Sequence, residues 1–218
     1  FMKKLLYTLL AVSVIFSACE EEDATPINNN NNSSNNTYVP DTQFEQELIN
    51  LGLDDILDDY VTTSSIDTVT ELYLNDNGSI AYLTGIEDFA SLNWLECRNN
   101  NITSLDLSQN SNLTWLHCSN NDLTNINLGS IDIEIIYCFQ NNLINLNLSN
   151  NSELIEIYTD ENNLENLNLK NGNSTNIFTI ATGGNPNLTC IEVDDPNTMN
   201  PFVFASQDPQ HFLSTNCP

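Results

Sequence analysis

The chain has 218 residues, of which 30 are acidic and 4 are basic, and its formal net charge is −26 at pH 7. Such an acidic surface repels nucleic acid and anionic lipid headgroups, so the composition excludes nucleic-acid partners and membrane attachment through a basic patch. Lys3 and Lys4 lie at the start, which leaves Arg98 and Lys170 as the only basic residues in the rest of the chain.

Residues 1–18 have the features of a lipoprotein signal peptide. After Lys3 and Lys4 comes an apolar run from Leu5 to Phe16, which is shorter than the ~20 residues that a membrane-spanning helix needs. Phe16-Ser17-Ala18-Cys19 resembles the lipobox of bacterial lipoproteins, and this resemblance implies lipidation of Cys19. An ordinary secretory signal cleaved before Cys19 is the alternative.

Residues 19–40 are predicted to be a disordered acidic and Asn-rich tether. The segment 24–37 is mostly Asn and Ser and cannot bury enough surface to offset its ordering entropy. The acidic run 20–23 resembles the export signal that sends lipoproteins of Bacteroidota to the outer face of the outer membrane; a solvated start to the tether is the alternative. We therefore expect an exported lipoprotein of the outer membrane, exposed on the cell surface.

Residues 41–68 are predicted to form a helical N-terminal cap. Thr42 and Glu45 have the spacing of a capping box, apolar residues follow on one helical stripe, and Gly52 marks the stop. This pattern predicts a helix from about 42 to 51. The apolar spacing over residues 53–61 predicts a second short helix.

Residues 69–193 repeat one pattern of apolar residues, a Leu or Cys, and an Asn. Successive copies begin 20 to 23 residues apart, at Val69, Leu92, Leu113, Ile133, Leu154 and Ile177. A shorter Leu-x-x-Leu-x-Leu unit lies between many of them. This repeat predicts a leucine-rich repeat solenoid, with a parallel β-ladder of about six short turns and little helix outside the N-terminal cap.

Each repeat places two kinds of residue in the interior. The repeat spacing puts an Asn where the chain turns after each strand, and its amide can bond backbone groups there. These residues are Asn77, Asn100, Asn121, Asn141, Asn162 and Asn185. Cys97, Cys118 and Cys138 point inward, and Thr159 replaces them in the next copy. Parallel neighbouring strands give poor disulfide geometry, so we expect buried free thiols.

Residues 194–218 lack the repeat pattern and are predicted to be a C-terminal cap. Cys190 and Cys217 enclose this Pro-rich segment and are the only cysteines outside both the signal region and the inward column. We expect a disulfide between them.

Three segments resemble leucine-rich repeat proteins of a known kind. VPDTQFEQELINLGLDDILDDYV (39–61), LTGIEDF (83–89) and CIEVDD (190–195) are similar to the two caps and the first turn of internalin-like, cysteine-bearing surface lipoproteins of the flavobacterial type. The resemblance implies recognition at the cell surface and no defined ligand.

The outward strand positions form one aromatic surface and one polar surface. We predict a ligand-binding face on the aromatic side, made of Trp94, Glu96, Arg98, Trp115, His117, Tyr137, Phe139 and Tyr158. Aligned exposed aromatic residues are typical of contact surfaces, and the partner would be a protein or a glycan. The alternatives are cross-strand packing that only stabilises the solenoid and a structural protein that self-associates.

Catalysis is not expected. The only histidines, His117 and His211, belong to no recognisable catalytic or metal-binding motif, and the sequence predicts no cofactor and no metal site. The acidic pairs 54–55 and 58–59 could hold calcium, but in such an acidic chain they are more often solvated charge.

Overall fold

The computed structural model describes residues 35–75, 79–199 and 203–218. The predicted signal peptide, Cys19, most of the tether and Asn77 lie outside these residues. The N-terminal part contains β1 (Asn36–Tyr38), α1 (Thr42–Asn50), β2 (Tyr60–Thr62) and α2 (Thr63–Ile66). β1 and β2 pair antiparallel, with Tyr38 opposite Tyr60, so the last residues of the predicted tether are part of the cap.

All the later strands have three residues each. In chain order they are β3 (Glu71–Tyr73), β4 (Trp94–Glu96), β5 (Ser104–Asp106), β6 (Trp115–His117), β7 (Asn125–Asn127), β8 (Ile135–Tyr137), β9 (Asn145–Asn147), β10 (Glu156–Tyr158), β11 (Asn166–Asn168), β12 (Thr179–Ala181), β13 (Cys190–Glu192), β14 (Phe204–Ser206) and β15 (Phe212–Ser214). Single turns of 3₁₀ helix lie at Ile86–Asp88 and Ser174–Asn176.

These strands form two rows along the solenoid. The first row, which we call the aromatic sheet, is one parallel sheet in the order β14-β12-β10-β8-β6-β4-β3. The second, which we call the asparagine row, consists of two parallel sheets, β5-β7 and β15-β13-β11-β9. The break between them coincides with the shortest repeat spacing, where Gly129 turns the chain at a φ of 55°.

The predicted solenoid is confirmed, with about seven turns where the repeat pattern predicts about six. The additional strand, β14, lies in the region predicted to be a cap and pairs parallel with β12. Strand β15 likewise extends the asparagine row by pairing with β13. Backbone pairing therefore continues beyond the recognisable repeats, because a strand needs only accessible backbone groups and not the repeated leucines.

Inward-facing residues of the strands fill the core. Leu95, Leu116, Ile136 and Ile157 from the aromatic sheet are at most 1% exposed. Leu105, Leu146, Leu167 and Ile191 face them from the asparagine row and are at most 3% exposed. Because each turn is too thin to cover its own apolar side chains, neighbouring turns bury them for one another.

The described Asn residues of the predicted column tie each turn to the next. Asn121 is representative: its Oδ1 accepts the Ile102 N–H at 3.0 Å, and its Nδ2 donates to the carbonyls of Cys97 at 2.9 Å and Cys118 at 3.1 Å. Each such Asn follows a residue with a left-handed φ, for example 56° at Asn120. The amide thus pairs buried backbone groups that this sharp turn leaves without a strand partner.

The cysteine column is present as predicted. Cys97, Cys118 and Cys138 are free thiols with no exposed surface. Burial raises the pKa of Cys97 and of Cys138 to about 12 and raises that of Cys118 well above its ordinary value. The thiols are therefore neutral and pack as small apolar groups. Thr159 continues the column and donates from Oγ1 to the Ala181 carbonyl at 3.1 Å.

The N-terminal cap differs from the sequence prediction in its first helix. The N-cap is Asp41 and not Thr42: its Oδ1 accepts the N–H groups of Gln43 and Phe44, both at 3.0 Å. Its Oδ2 accepts the Ala81 and Tyr82 N–H groups at 2.7 and 3.1 Å. One buried carboxylate therefore both caps α1 and fastens it to the first turn.

The second predicted helix, over residues 53–61, is wrong. Glu45 lies 99% buried beneath this segment, where its Oε1 accepts the N–H groups of Asp58 at 2.7 Å and Tyr60 at 3.2 Å. Asp59 has a φ of 68°, which a right-handed helix does not allow. The chain therefore runs as an irregular loop into β2, and the helix α2 begins only at Thr63.

The predicted disulfide joins Cys190 to Cys217, whose Cα atoms are 5.7 Å apart. Two aspartates close turns nearby. Asp194 accepts from the N–H groups of Gly172 and Ser174, and Asp208 accepts from those of Gly184 and Asn185. The C-terminal segment is thus held by a covalent bond and by charge-assisted hydrogen bonds.

Candidate functional site

Outward side chains of the aromatic sheet form a continuous group of rings. We call this group the aromatic strip; it consists of Trp94, Trp115, His117, Tyr137, Phe139 and Tyr158. In strands β4, β6, β8 and β10 the central residue is buried and both of its neighbours are partly exposed. This alternation places the rings on the outside of the sheet.

The rings contact one another along the ladder. Trp94 and Trp115, which are opposite each other in register, stack with centroids 3.6 Å apart and planes 9° apart. Tyr137 and Tyr158 stack in the same way, at 4.5 Å and 9°. Trp115 also contacts Tyr137 at 5.6 Å with a 48° tilt, which joins the two stacks. His117 lies 5.1 Å from Tyr137 and 5.9 Å from Phe139.

Three polar atoms of the strip have hydrogen-bond partners close by on the same face. Trp94 Nε1 donates to Glu96 Oε1 at 3.1 Å, and the Tyr158 hydroxyl donates to Glu156 Oε2 at 3.1 Å. His117 Nε2 is 2.7 Å from Ser119 Oγ. The partners in each pair are two residues apart, on one strand or at its end, so the alternation of the extended chain brings them to the same side.

Burial and neighbouring charges shift the protonation equilibria of the strip. Burial lowers the pKa of His117 below its ordinary value of 6.5; Arg98 adds to this decrease and Glu96 opposes it. Burial also raises the pKa of Tyr137 and of Tyr158, and Glu156 raises both further. At neutral pH the strip therefore presents a neutral imidazole and neutral phenols.

The sequence-predicted site residues are brought together on one sheet. Glu96 and Arg98 lie on β4 and directly after it, beside Trp94, so all eight predicted residues belong to four adjacent turns. The disulfide lies elsewhere, because Cys190 begins β13 in the asparagine row. The eight residues therefore lie on neighbouring turns of one sheet, and their role as a ligand-binding face stays a prediction.

Sequence reasoning missed apolar residues beside the strip. Phe178 is 66% exposed and Ile155 39% exposed. Both directly precede a strand of the aromatic sheet, and the Phe178 N–H donates to the Ile155 carbonyl at 2.7 Å, so they lie on adjacent turns. The position before each strand is polar in earlier turns, Asn93, Thr114 and Glu134. A column-by-column comparison at that position would have revealed the change.

Tyr73 and Glu71 also extend the face, on its N-terminal side. Both residues are exposed outward positions of β3, and the Tyr73 hydroxyl donates to Glu71 Oε2 at 2.8 Å. This hydrogen bond is the main reason that the pKa of Tyr73 is raised. The first turn therefore repeats the pairing of a tyrosine with a carboxylate that β10 shows.

Catalytic arrangements are lacking among the described residues. No group of three or more His, Cys, Asp or Glu side chains there is placed to hold a metal ion. Two hydroxyl groups lie beside an imidazole, Ser119 Oγ at 2.7 Å from His117 Nε2 and Thr182 Oγ1 at 3.0 Å from His211 Nδ1, but Ser119 and Thr182 are at most 2% exposed. A cavity of about 190 Å³ borders Tyr82, Ser104 and Asp106, and its lining shares no residue with the aromatic strip.

Comparison with known proteins points to the same architecture. No family model matches the chain. Internalin J of Listeria monocytogenes serotype 4b (strain F2365) is 40% identical over 76 residues, which is 35% of this chain and 8% of that protein. The solved functional domain of internalin J from Listeria monocytogenes, which includes a cysteine ladder, is 27% identical and has a TM-score of 0.59. The chain is thus similar to internalin J and has the same kind of leucine-rich repeat solenoid.

The matches cover only part of each internalin structure. The match to the internalin J domain covers 72% of this internalin-like chain and 38% of the other. The internalin InlF structure from the same species is 19% identical with a TM-score of 0.45, covering 74% of this chain and 53% of that one. The match to the internalin J domain supports a shared solenoid fold, whereas the aromatic strip has to be interpreted from its own chemistry. Within the described residues, no helix is long and apolar enough to cross a membrane.

Proposed function

We propose that this protein is a lipid-anchored bacterial surface protein that recognises a protein partner through the aromatic strip. The observation that carries the proposal is the continuity of the strip: partly exposed rings from four adjacent strands contact one another in one surface. Tryptophan and tyrosine supply large contact area at low entropic cost and are enriched at the centres of protein interfaces. The protein is proposed to act as a binding protein and not as an enzyme.

The surroundings of the strip support this proposal. Phe178 and Ile155 add exposed apolar surface at one edge, and charged residues such as Glu96, Arg98 and Asp160 surround the rings. An aromatic centre with a polar margin is the usual anatomy of a protein interface.

Parallel protein and glycan arrays test the proposal. The labelled full chain would be compared with the variant Trp115→Ala/Tyr137→Ala and with a matched control, Asn125→Ala/Asn145→Ala, which changes exposed residues of the asparagine row. We expect binding to one or more extracellular proteins, lost in the aromatic variant and retained in the control. Circular dichroism would verify that both variants remain folded.

Other outcomes distinguish the alternatives. Glycan signals with the same dependence on Trp115 and Tyr137 would establish glycan binding instead. Concentration-dependent sedimentation that the aromatic variant abolishes would identify a self-associating structural protein. If no signal on either array depends on the two rings, the proposed function is wrong.

We also propose that residues 1–18 are a signal peptide, that Cys19 carries the lipid, and that residues from 19 onward tether the solenoid to the outer membrane. The support is the lipobox-like sequence and the acidic run after it. Metabolic labelling with an alkyne fatty acid should mark the native chain and not Cys19→Ala. Digestion of the solenoid by protease added to intact cells would place it on the outer surface, whereas protection would place it in the periplasm.

A further inference from the structure

The rings of the aromatic strip present their edges and not their faces. Side chains stand roughly perpendicular to a sheet. Since Trp94 and Trp115 stack face to face along the ladder, as do Tyr137 and Tyr158, the covered surfaces are the ring faces. Trp115 and Tyr137, in the middle, have ring neighbours on both sides. An incoming molecule therefore meets ring edges, whose hydrogens carry partial positive charge.

This orientation disfavours two kinds of ligand. A sugar that stacks on an aromatic ring, or a cation that sits over one, needs an open ring face, and the central faces are occupied. Sugar hydroxyl groups would also compete for groups already in use, because the donors of Trp94 and Tyr158 are bonded to Glu96 and Glu156. Breaking those hydrogen bonds would cost free energy that the new ones only replace.

Ring edges fit a different surface. A partner's aromatic ring that lies flat across them offers its negative face to their positive edges, which is the favourable edge-to-face arrangement. An aliphatic side chain makes no such electrostatic match. The strip therefore favours a partner that carries aromatic side chains.

The charges around the strip are mostly negative. Glu71, Glu96, Glu156 and Asp160 all occupy outward positions on or directly after strands of the aromatic sheet, and Arg98 is the only basic residue among those positions. The hydroxyl of Tyr73 donates to Glu71, and this hydrogen bond raises the pKa of Tyr73; burial, and then the hydrogen bond donated to Glu156, raise the pKa of Tyr158. An acidic partner would be repelled, whereas lysine or arginine side chains would be attracted.

Building on the proposed function, we propose that the partner is a protein segment rich in both aromatic side chains and lysine or arginine. Its rings lie flat on the edges of Trp94, Trp115, Tyr137 and Tyr158, and its cations reach Glu96 and Glu156. Strands β4 and β10 each carry one ring and one carboxylate at their outward positions, so both halves of the recognition come from one surface.

Three short synthetic peptides test this inference by fluorescence polarisation against the full chain. They alternate lysine with tyrosine, lysine with serine, and glutamate with tyrosine. We expect the lysine–tyrosine peptide to bind about tenfold or more tightly than the other two. Equal binding of the lysine–serine peptide would show simple charge attraction and overturn the aromatic half. Tight binding of the glutamate–tyrosine peptide would overturn the cationic half.

Variants of the protein locate the contact. Trp115→Ala/Tyr137→Ala and Glu96→Gln/Glu156→Gln should each weaken the lysine–tyrosine peptide about tenfold, and glutamine retains the acceptors for Trp94 and Tyr158. The matched control, Asp106→Asn/Glu165→Gln, removes the same charge from the asparagine row and should change the affinity little. Equal loss in this control would overturn the proposed location.

The outcome is separable from that of the proposed function. An array partner that requires Trp115 and Tyr137, combined with no peptide binding, would leave the proposed function standing and refute the partner chemistry. Peptide binding that survives loss of both rings would also refute it, whatever the arrays show.

Discussion

The two rows of strands have nearly the same backbone and share one apolar interior, but their outward side chains have different roles. In the asparagine row, Asn127, Asn147 and Asn168 each accept the backbone N–H two residues later, at 2.9 to 3.1 Å. These side chains close the turn at the end of their strand. On the aromatic sheet the outer rings bond no backbone group in this way, so turn geometry does not require them. The fold therefore requires these outward asparagines, whereas it only tolerates the outward rings.

The largest expected effect comes from comparing two alanine substitutions, one at a buried asparagine and one at an exposed asparagine. Asn141→Ala removes the acceptor for the Leu123 N–H and the donor to the Cys118 and Cys138 carbonyls, all of which are buried. Leaving these groups unpaired should cost about 4 kcal/mol of unfolding free energy. Asn145→Ala, on the exposed asparagine row, should change it by less than about 0.5 kcal/mol. Urea denaturation measures the unfolding free energy of both variants. Equal losses would contradict a larger structural role for the buried asparagine.

The last turn of the asparagine row offers a second test. Cys190 occupies the outward position that Asn166 fills one turn earlier, so a disulfide replaces the polar side chain at this end. The bond closes a loop of 27 residues, and its loss in Cys190→Ala/Cys217→Ala should cost about 3 kcal/mol. Hydrogen exchange should increase first in β13 and β15. Uniform destabilisation along the whole solenoid would show that the bond does more than hold this end.

Ring stacking on the aromatic sheet gives a smaller expected effect. A double-mutant cycle of Trp94→Ala and Trp115→Ala should yield a coupling energy of about 1 kcal/mol, because the stacked pair is worth this much beyond the area it buries. A cycle on Asn125 and Asn145, which carry no ring, serves as the control. A coupling near zero for the tryptophans would mean that stacking contributes nothing to stability and would leave binding as the only role of the pair.

The smallest effect concerns pH. Because the folded-state pKa of His117 is lowered, the unfolded chain binds the proton more readily, and stability falls as the pH decreases below the ordinary value of 6.5. His117→Gln can still contact Ser119 and should lessen this fall. Thermal unfolding between about pH 7.5 and about pH 5 compares the two proteins. An identical pH dependence would show that other titratable groups account for the loss.

The sequence by itself determined the elements that depend on periodicity. The leucine spacing fixes which residues face inward, and the strand alternation then fixes that Trp94, Trp115, Tyr137 and Tyr158 face outward on adjacent turns. The Asn and Cys columns follow from the same register. Once a position is assigned to the interior or the surface in one repeat, the same position is assigned in every other repeat.

Tertiary structure alone decided the features that lie outside the period. Asp41 caps α1 with one carboxylate oxygen, and its other oxygen accepts a hydrogen bond from the first turn. Glu45 holds residues 58 and 60 in a loop where apolar spacing predicts a helix. Strand β14 adds a turn without repeat residues, since open backbone groups of β12 suffice to pair it. The stacking of the rings was likewise invisible, because a sequence gives the side of the sheet on which a ring lies, whereas contacts with neighbouring side chains set its rotation.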